Sequence, residues 1–152
     1  MAKALIGAGC FWGIEEYFRQ LKGVQNTQVG YSGGEFENPA YEDVCTGKTG
    51  HAEVVLIIFN EDQLSYKEII NHFWQCHDPT QLNQQGPDIG TQYRSEIFYY
   101  SDEQKKIALN SKKEIQKITT RPIVTQITEA AVFYKAEEYH QCFIKKKSYI
   151  KT

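Results

Sequence analysis

A cysteine near the start of the chain stands where an enzyme would place a nucleophile. Cys10 lies in the stretch GAGCFWG, residues 7–13, after a short apolar run and before residues with helical spacing. A thiol in the first turn of a helix faces unpaired backbone N–H groups and the positive end of the helix dipole, which favour the thiolate. Glu15 and Glu16 follow within two turns and oppose this effect. Taken alone, the position fits a structural thiol as well as a catalytic one.

A carboxyl group suited to proton donation opens the most apolar segment of the chain. Glu53 is followed by the six apolar residues 54–59, and such surroundings raise the pKa of a carboxyl group towards neutrality. A protonated carboxyl group can donate to an oxygen atom that gains negative charge. The alternative is a solvated glutamate at an exposed strand end.

Tyrosines and aromatic side chains extend this candidate chemistry. Tyr41 and Tyr93 lie in polar, glycine-bearing loops and could donate hydrogen bonds to the same oxygen atom. Phe11 and Trp12 adjoin the thiol and could form a wall for a methyl-sized group. Asp88 could orient a substrate amide. Ordinary packing or turn capping is the alternative for each, but together they predict a substrate with an electrophilic atom, an oxygen acceptor and an apolar substituent.

The elements that must position these residues alternate between strands and helices. Hydrophobic periods of two and 3.6 residues follow one another, which predicts an α/β fold in one domain over residues 1–152. Long glycine-bearing loops in so small a domain usually carry function, and here they span 30–52 and 81–95. The predicted strands cover 3–7, 27–31, 53–59, 96–100 and 122–129, and the predicted helices cover 12–21, 65–76, 101–118 and 136–147.

Charge and hydropathy exclude several classes of partner. The net charge is -2, with 17 basic and 19 acidic residues interspersed, so we expect no nucleic-acid partner. The longest apolar run, 54–59, is far shorter than the roughly 20 residues of a membrane span. The first residues have neither the apolar core nor the cleavage site of a secretory signal. We therefore expect a cytoplasmic monomer that does not bind membranes.

The cysteines do not form a recognisable metal or disulfide pattern. The chain has four cysteines and no Cys-x-x-Cys pair, which predicts free thiols in a reducing compartment. The spacing of the cysteines and histidines matches no structural zinc site, so we expect no metal. The zinc alternative would draw its ligands from Cys45, His51, Cys76, His77, His140 and Cys142.

Six sequence blocks between residues 4 and 143 have the order and spacing of one enzyme family. They are GCFWG (9–13), GYSGG (30–34), NPAYEDVCTGKTGHAE (38–53), HDPT (77–80), GTQYRS (90–95) and AEEYHQ (136–141). In these blocks the chain resembles the A-type peptide methionine sulfoxide reductases. The resemblance implies a single two-layer α/β roll around a mixed sheet, with a ferredoxin-like arrangement.

The same resemblance implies an oxidoreductase that repairs proteins after oxidative stress. Its substrate would be the S epimer of methionine sulfoxide, free or in peptides and proteins, and it would bind no cofactor. Thioredoxin or a comparable thiol donor would restore the enzyme. The roles implied by position are a nucleophile that becomes a sulfenic acid for Cys10, a proton donor for Glu53, hydrogen-bonding tyrosines for Tyr41 and Tyr93, a methyl-binding wall for Phe11 and Trp12, and a substrate-side carboxylate for Asp88.

The chain departs from the family pattern at the position of the resolving cysteine, the residue that reduces the sulfenic acid. Many relatives place a resolving cysteine in a glycine-rich tail beyond AEEYHQ, whereas this sequence stops at Thr152 after a lysine-rich end. Cys142 is the nearest candidate, and we expect Cys45 and Cys76 to pack. We favour direct reaction of the Cys10 sulfenic acid with an external thiol.

Two other functional classes are compatible with the thiol alone. A cysteine hydrolase or a thiol peroxidase could use the same nucleophile, but no base and orienting residue can be assembled around it from the sequence. An inactive module could bind oxidised methionine through the aromatic wall. The presence of both Cys10 and Glu53 argues against such a module.

Overall fold

A six-stranded mixed sheet forms the centre of the computed structural model, which describes the backbone of residues 2–150 and the side chains of residues 2–147. A separate two-stranded hairpin lies in the second long loop. In chain order the strands are β1 (Ala2–Ala8), β2 (Val24–Ser32), β3 (Ala52–Phe59), β4 (Gln84–Gln85), β5 (Asp88–Ile89), β6 (Ser95–Tyr99), β7 (Gln126–Glu129) and β8 (Tyr134–Lys135).

The helices lie between these strands and at the C-terminal end. None of the helices in the described part of the chain is long and apolar enough to cross a membrane. They are α1 (Phe11–Arg19), α2 (Tyr41–Cys45), α3 (Tyr66–Gln75), α4 (Asp102–Lys117) and α5 (Phe143–Ile150), with short 3₁₀ helices at Thr91–Tyr93 and Glu138–His140.

The order of the strands confirms the implied fold. In the large sheet the order is β7-β6-β1-β3-β2-β8. The four middle strands, β6, β1, β3 and β2, pair with one another in antiparallel fashion. Helix α1 connects β1 to β2 and α3 follows β3, which is the ferredoxin-like arrangement. The edge strand β7 pairs with β6 in parallel and makes the sheet mixed.

Hydrophobic side chains cover both faces of β3, as its uninterrupted apolar run predicts. Val55 and Ile57 belong to the main core, which the sheet forms with α1 and α3, while Val54 lies in a smaller cluster on the opposite face. Phe73 of α3 is fully buried in the main core. Burial of a side chain of this size stabilises a fold by roughly 1.5–3 kcal/mol relative to exposure.

The predicted helix over 136–147 is wrong in its first half. A 3₁₀ turn ends at His140, Gln141 is extended, and Cys142 has a φ of 52° before α5 begins. Side-chain hydrogen bonds replace helical ones here, because the Gln141 amide is bonded to the backbone N–H and C=O of Val29, both at 2.9 Å. Tertiary contacts thus override a local helical pattern.

Candidate active site

The turn that carries the thiol joins the C-terminal end of β1 to α1. Cys10 occupies the N-cap position of α1, after Gly9 with a φ of +102°. A Cβ atom on Gly9 would lie 2.9 Å from the side chain of Gln85, so both the conformation and the space require glycine. The Gln85 amide is itself hydrogen-bonded to the backbone N–H and C=O of Asp78, at 2.8 and 2.9 Å. The β4–β5 hairpin, through Gln85, therefore packs against the turn that carries Cys10.

The thiol is protonated at neutral pH, which corrects the expectation of a thiolate. Burial raises the pKa of Cys10 to about 11, and the carboxylates of Glu53 and Asp88 contribute to the increase. The backbone N–H groups of Trp12 and Gly13, in the first turn of α1, oppose it without overcoming it. The thiol proton must therefore leave Cys10 during any nucleophilic step.

Antiparallel pairing of β1 and β3 brings a buried carboxyl group to this turn. Glu53, which faces Tyr31 across the sheet, is only 2% exposed, and its Oε1 accepts a hydrogen bond of 3.2 Å from the backbone N–H of Phe11. Within residues 2–147, no hydrogen-bonding group reaches the buried Oε2 atom. Burial raises the pKa of Glu53 to about 7, with a smaller contribution from Asp88. The carboxyl group is thus half protonated near neutrality, as its sequence position predicts.

The two tyrosines that the sequence singles out both lie near this carboxyl group. Burial is the main reason for the raised pKa of Tyr41, followed by its hydrogen bond with the Cys45 side chain, and Glu53 also contributes. Burial likewise raises the pKa of Tyr93 to about 12, and the carboxylates of Glu53 and Asp88 add to it. Both hydroxyl groups remain neutral at physiological pH and can donate hydrogen bonds.

An aromatic cluster adjoins the thiol on the side of α1. Phe11 is buried, with its ring centroid 5.7 Å from Tyr31 and 5.2 Å from His140. Trp12 is partly exposed and stacks on Phe143 with a centroid distance of 4.0 Å. The indole Nε1 donates a hydrogen bond of 2.9 Å to Nδ1 of His140. The structure therefore brings together the thiol, the carboxyl groups, both tyrosines and both aromatic residues.

Two polar residues of this cluster are missing from the sequence-based site. Glu137 accepts hydrogen bonds of 3.0 Å from the Tyr31 hydroxyl and from the Tyr41 backbone N–H, so it links β2 to α2. His140 contacts the aromatic wall. The signal for both was the block at 136–141, whose polar residues have no apparent use in a surface helix.

The remaining cysteines lie outside this arrangement or at its edge. The Cys142 backbone N–H donates to Glu15 Oε1 at 2.7 Å, and its thiol lies 3.9 Å from Glu15 Oε2, in the second turn of α1. The expectation that Cys45 packs is wrong, because this residue is exposed. Cys76 is half-buried and its thiol donates to the Phe73 carbonyl at 3.3 Å, consistent with packing.

The histidines of the zinc alternative have other hydrogen-bond partners. His51 is bonded through both ring nitrogens to backbone groups, and His77 to the Phe73 carbonyl and the Ser95 hydroxyl. Burial lowers the pKa of His77 to about 4 and keeps it neutral. In the part of the chain with described side chains, no three metal-binding groups come together.

Known proteins share both the sequence and the fold of this chain. The family model described as peptide methionine sulfoxide reductase matches residues 2–152. The peptide methionine sulfoxide reductase MsrA of Methanosarcina acetivorans is 56% identical over 100% of this chain and 82% of its own length. The MsrA of Acidobacterium capsulatum is 56% identical over 97% of this chain and 96% of its own.

Solved structures agree with the sequence comparisons. Reduced Mxr1 from Saccharomyces cerevisiae superimposes with a TM-score of 0.92 and 37% identity, covering 97% of this chain and 86% of its own. Methionine sulfoxide reductase A of Corynebacterium diphtheriae gives a TM-score of 0.88 and 34% identity, covering 96% of this chain and 74% of its own. With a matching family model, close relatives and a shared fold, the chain belongs to the peptide methionine sulfoxide reductase family.

Proposed function

We propose that this chain reduces the S epimer of methionine sulfoxide, in proteins, in peptides and as the free amino acid, with Cys10 as nucleophile and Glu53 as proton donor. The observation that carries the proposal is the Glu53 carboxyl group. It is buried beside the Cys10 turn, half protonated near pH 7, and one of its oxygen atoms has no partner among the described residues. Such an atom can hold a proton for a substrate oxygen.

The reaction transfers one oxygen atom and two electrons. Cys10 gives up its thiol proton and attacks the sulfoxide sulfur, while Glu53 donates a proton to the sulfoxide oxygen, which moves to Cys10. The proton that Glu53 donates is the one that the thiol has given up, so the carboxyl group is ionised both before and after the step. A thiol and a sulfoxide thus become a sulfenic acid and a thioether, with Cys10 oxidised and the substrate sulfur reduced.

The surrounding residues hold the substrate in one orientation. Tyr41 and Tyr93 are neutral donors close to Glu53 and bind the sulfoxide oxygen. Phe11 and Trp12 form an apolar wall for the S-methyl group. Asp88, whose charge acts on both the thiol and Glu53, binds the backbone amide of the substrate. Oxygen, methyl group and backbone are each held on a different side of the sulfur.

This three-sided hold predicts strict stereoselectivity. Only one epimer can direct its sulfur at Cys10 when the methyl group and the oxygen occupy their own sites. We expect a racemic N-acetyl-methionine sulfoxide amide to stop near half conversion, with the R epimer left over. Chiral chromatography of the unreacted substrate measures this. Complete conversion would show that the pocket does not fix the orientation of the substrate.

Recycling of the sulfenic acid proceeds by direct attack of an external thiol. The contacts of Cys142 with Glu15 and the bonds of Gln141 to Val29 restrain the movement of Cys142, which supports a route without it. Thioredoxin, or a comparable thiol donor, is the reductant. Support comes from the structure of yeast Mxr1 in complex with Trx2, which is 27% identical with a TM-score of 0.68.

A single turnover without reductant tests this route. We expect a trappable sulfenic acid on Cys10 and the loss of one free thiol, because a disulfide has strict geometric requirements and the hydrogen bonds of Gln141 and Cys142 restrain any movement that would meet them. Dimedone labelling and peptide mapping locate the product, with Cys142→Ser as the matched variant. A stoichiometric Cys10 to Cys142 disulfide would contradict the direct route, as would a Cys142→Ser protein that keeps the single turnover and loses thioredoxin-supported cycling.

The chain acts as a single catalytic domain over residues 1–152, as a monomer in the cytoplasm. The main core is shared by the central sheet and its helices, and the sequence has no Cys-x-x-Cys pair, which supports this proposal. Release of methionine from a methionine sulfoxide peptide tests the activity. An ester and a peroxide as control substrates separate sulfoxide reduction from hydrolase and peroxidase chemistry, and binding without turnover would indicate an inactive module.

A further inference from the structure

The β4–β5 hairpin has one face towards the site and one towards solvent. Gln85 and Asp88 are directly opposite each other in the hairpin register, so their side chains lie on the same face. That face meets the turn at Gly9, where an added Cβ atom would lie 2.9 Å from both Cβ and Cγ of Gln85. The other pair, Gln84 and Ile89, faces away, and Ile89 is 75% exposed.

The Asp88 carboxylate borders the site, but its own strand is too short to fix it there. Burial is the main cause of the raised pKa values of Cys10, Glu53 and Tyr93, and the charge of Asp88 adds to all three. Strands β4 and β5 have two residues each. A two-stranded hairpin is at best marginally stable alone, so contacts outside the hairpin must fix the place of Asp88.

The Gln85 amide makes such a contact with both of its polar atoms. Its Oε1 accepts from the Asp78 backbone N–H at 2.8 Å, and its Nε2 donates to the Asp78 carbonyl at 2.9 Å. By contrast, the bond of 2.9 Å from the Gly90 N–H to the Asn83 carbonyl stays within the loop. The Gln85 amide therefore connects the hairpin to a different part of the chain.

The segment around Asp78 is itself fixed to the central sheet and its surroundings. The preceding His77 ring is hydrogen-bonded to the hydroxyl group of Ser95, at the start of β6, at 2.7 Å. The Val124 N–H donates to the Pro79 carbonyl at 2.9 Å. The backbone of Asp78 is thus a firm anchor for the hairpin.

We propose that Gln85 is a positioning residue, whose amide fixes the β4–β5 hairpin to the backbone of Asp78 and so holds the Asp88 carboxylate where it binds the backbone amide of the substrate. The inference rests on the proposed function, because that function gives Asp88 its role. Gln85 acts through Asp88 and takes no part in oxygen transfer. Its loss therefore weakens binding of substrates that have a backbone amide more than it slows the chemical step.

Two adjacent replacements test the amide. Gln85→Leu keeps Cβ and Cγ, which contact Gly9, and removes both hydrogen bonds to Asp78. For the S epimer of N-acetyl-methionine sulfoxide amide, we expect it to raise KM about fivefold and to change kcat by less than about twofold. Gln84→Leu is the matched control, because it makes the same change on the outer face, and it should behave as the native protein. Equal impairment of the two variants would overturn the proposal.

A substrate without an amide separates Asp88 from the rest of the site. A methyl alkyl sulfoxide has the sulfur, the oxygen and the methyl group but offers no amide to Asp88. We expect Gln85→Leu to change kcat/KM for this substrate by less than about twofold. The same loss for both substrates would show that Gln85 acts on the Cys10 turn instead and would overturn the proposal.

A double-mutant cycle tests whether the effect passes through Asp88. Asp88→Asn should raise KM for the amide substrate by itself, and Gln85→Leu should add less than about twofold in that background, because the coupling partner is gone. The same fold-change in both backgrounds would contradict the proposal.

Alkylation of the Cys10 thiol gives a readout that does not depend on sulfoxide reduction. Asp88 contributes to the raised pKa of this thiol, after burial and Glu53, so displacement of Asp88 should increase the thiolate fraction. With iodoacetamide at constant pH and peptide mapping, we expect the Cys10 rate to rise by about twofold or more in Asp88→Asn and in Gln85→Leu, but not in Gln84→Leu. The exposed Cys45 is the internal reference.

A rise in Asp88→Asn without one in Gln85→Leu would overturn the proposal. No rise in either variant would contradict the placement of Asp88 on which it depends. If the alkylation rates change as expected and the native protein does not reduce sulfoxides, only the proposed function fails.

Discussion

Replacement of Cys10 by serine is expected to abolish sulfoxide reduction without loss of stability. A hydroxyl group is far less ionised and less nucleophilic than a thiol, so we expect activity to fall by more than roughly 10⁴-fold, as when other enzymes lose their nucleophile. Cys10 occupies the N-cap of α1, where serine is among the preferred residues. The free energy of unfolding should therefore be unchanged, or higher by up to about 1 kcal/mol.

Methionine release from a sulfoxide peptide and thermal unfolding together measure the two effects. Cys76→Ser is the matched control, since it makes the same chemical change at a half-buried thiol outside the site, and it should keep its activity. Retained turnover in Cys10→Ser would remove the assignment of the nucleophile. A large drop in its unfolding temperature would show instead that Cys10 is structural.

The elements around the site could be predicted because their patterns are strong. The apolar run after Glu53 predicts a central strand, and β3 extends from Ala52 to Phe59. Ser65 and Glu68 predict a capping box, which the structure contains with hydrogen bonds of 3.1 Å in both directions. Here local preference and tertiary burial favour the same structure.

The segment after Ala136 could not be predicted for the opposite reason. Its residues have helical spacing, but their side chains bond to distant backbone: Glu137 to Tyr41, and Gln141 to Val29. These partners are separated by 96 and 112 residues, so no local pattern contains them. The hydrogen bond between Trp12 and His140, 128 residues apart, was inaccessible for the same reason.

The protonation state of the Cys10 thiol could not be predicted from the sequence either. The helix N-terminus is visible as a pattern, and it does lower the pKa of Cys10 through the N–H groups of Trp12 and Gly13. Burial and the nearby carboxylates raise the pKa of Cys10 by more than these N–H groups lower it. Neither cause can be predicted from the sequence, because both depend on the tertiary fold that brings Glu53 and Asp88 close to the turn. The raised pKa of Glu53, by contrast, follows from burial that its own strand predicts.

Replacement of Glu53 by glutamine should slow sulfoxide reduction by roughly 10² or more at neutral pH, the usual contribution of a positioned proton donor. The amide keeps the shape and can still accept from the Phe11 N–H, so we expect little change in fold. Glu61→Gln is the matched control, because it makes the same change in charge at an exposed residue near the other end of β3. A decrease of less than about threefold would remove Glu53 from the acid role.

The pH dependence gives this prediction a second, independent test. Sulfenic acid formation uses one of the two protons that Cys10 and Glu53 can carry. Because their pKa values are about 11 and about 7, the two groups together hold one proton between pH 7 and pH 11. Below pH 7 it holds two, and a thiol that keeps its proton is a poor nucleophile. The kcat/KM of the native protein should therefore rise with pH to about 7 and then level off. In Glu53→Gln the thiol alone titrates, so kcat/KM should keep rising through pH 7, and a persistent break there would mean that another group sets it.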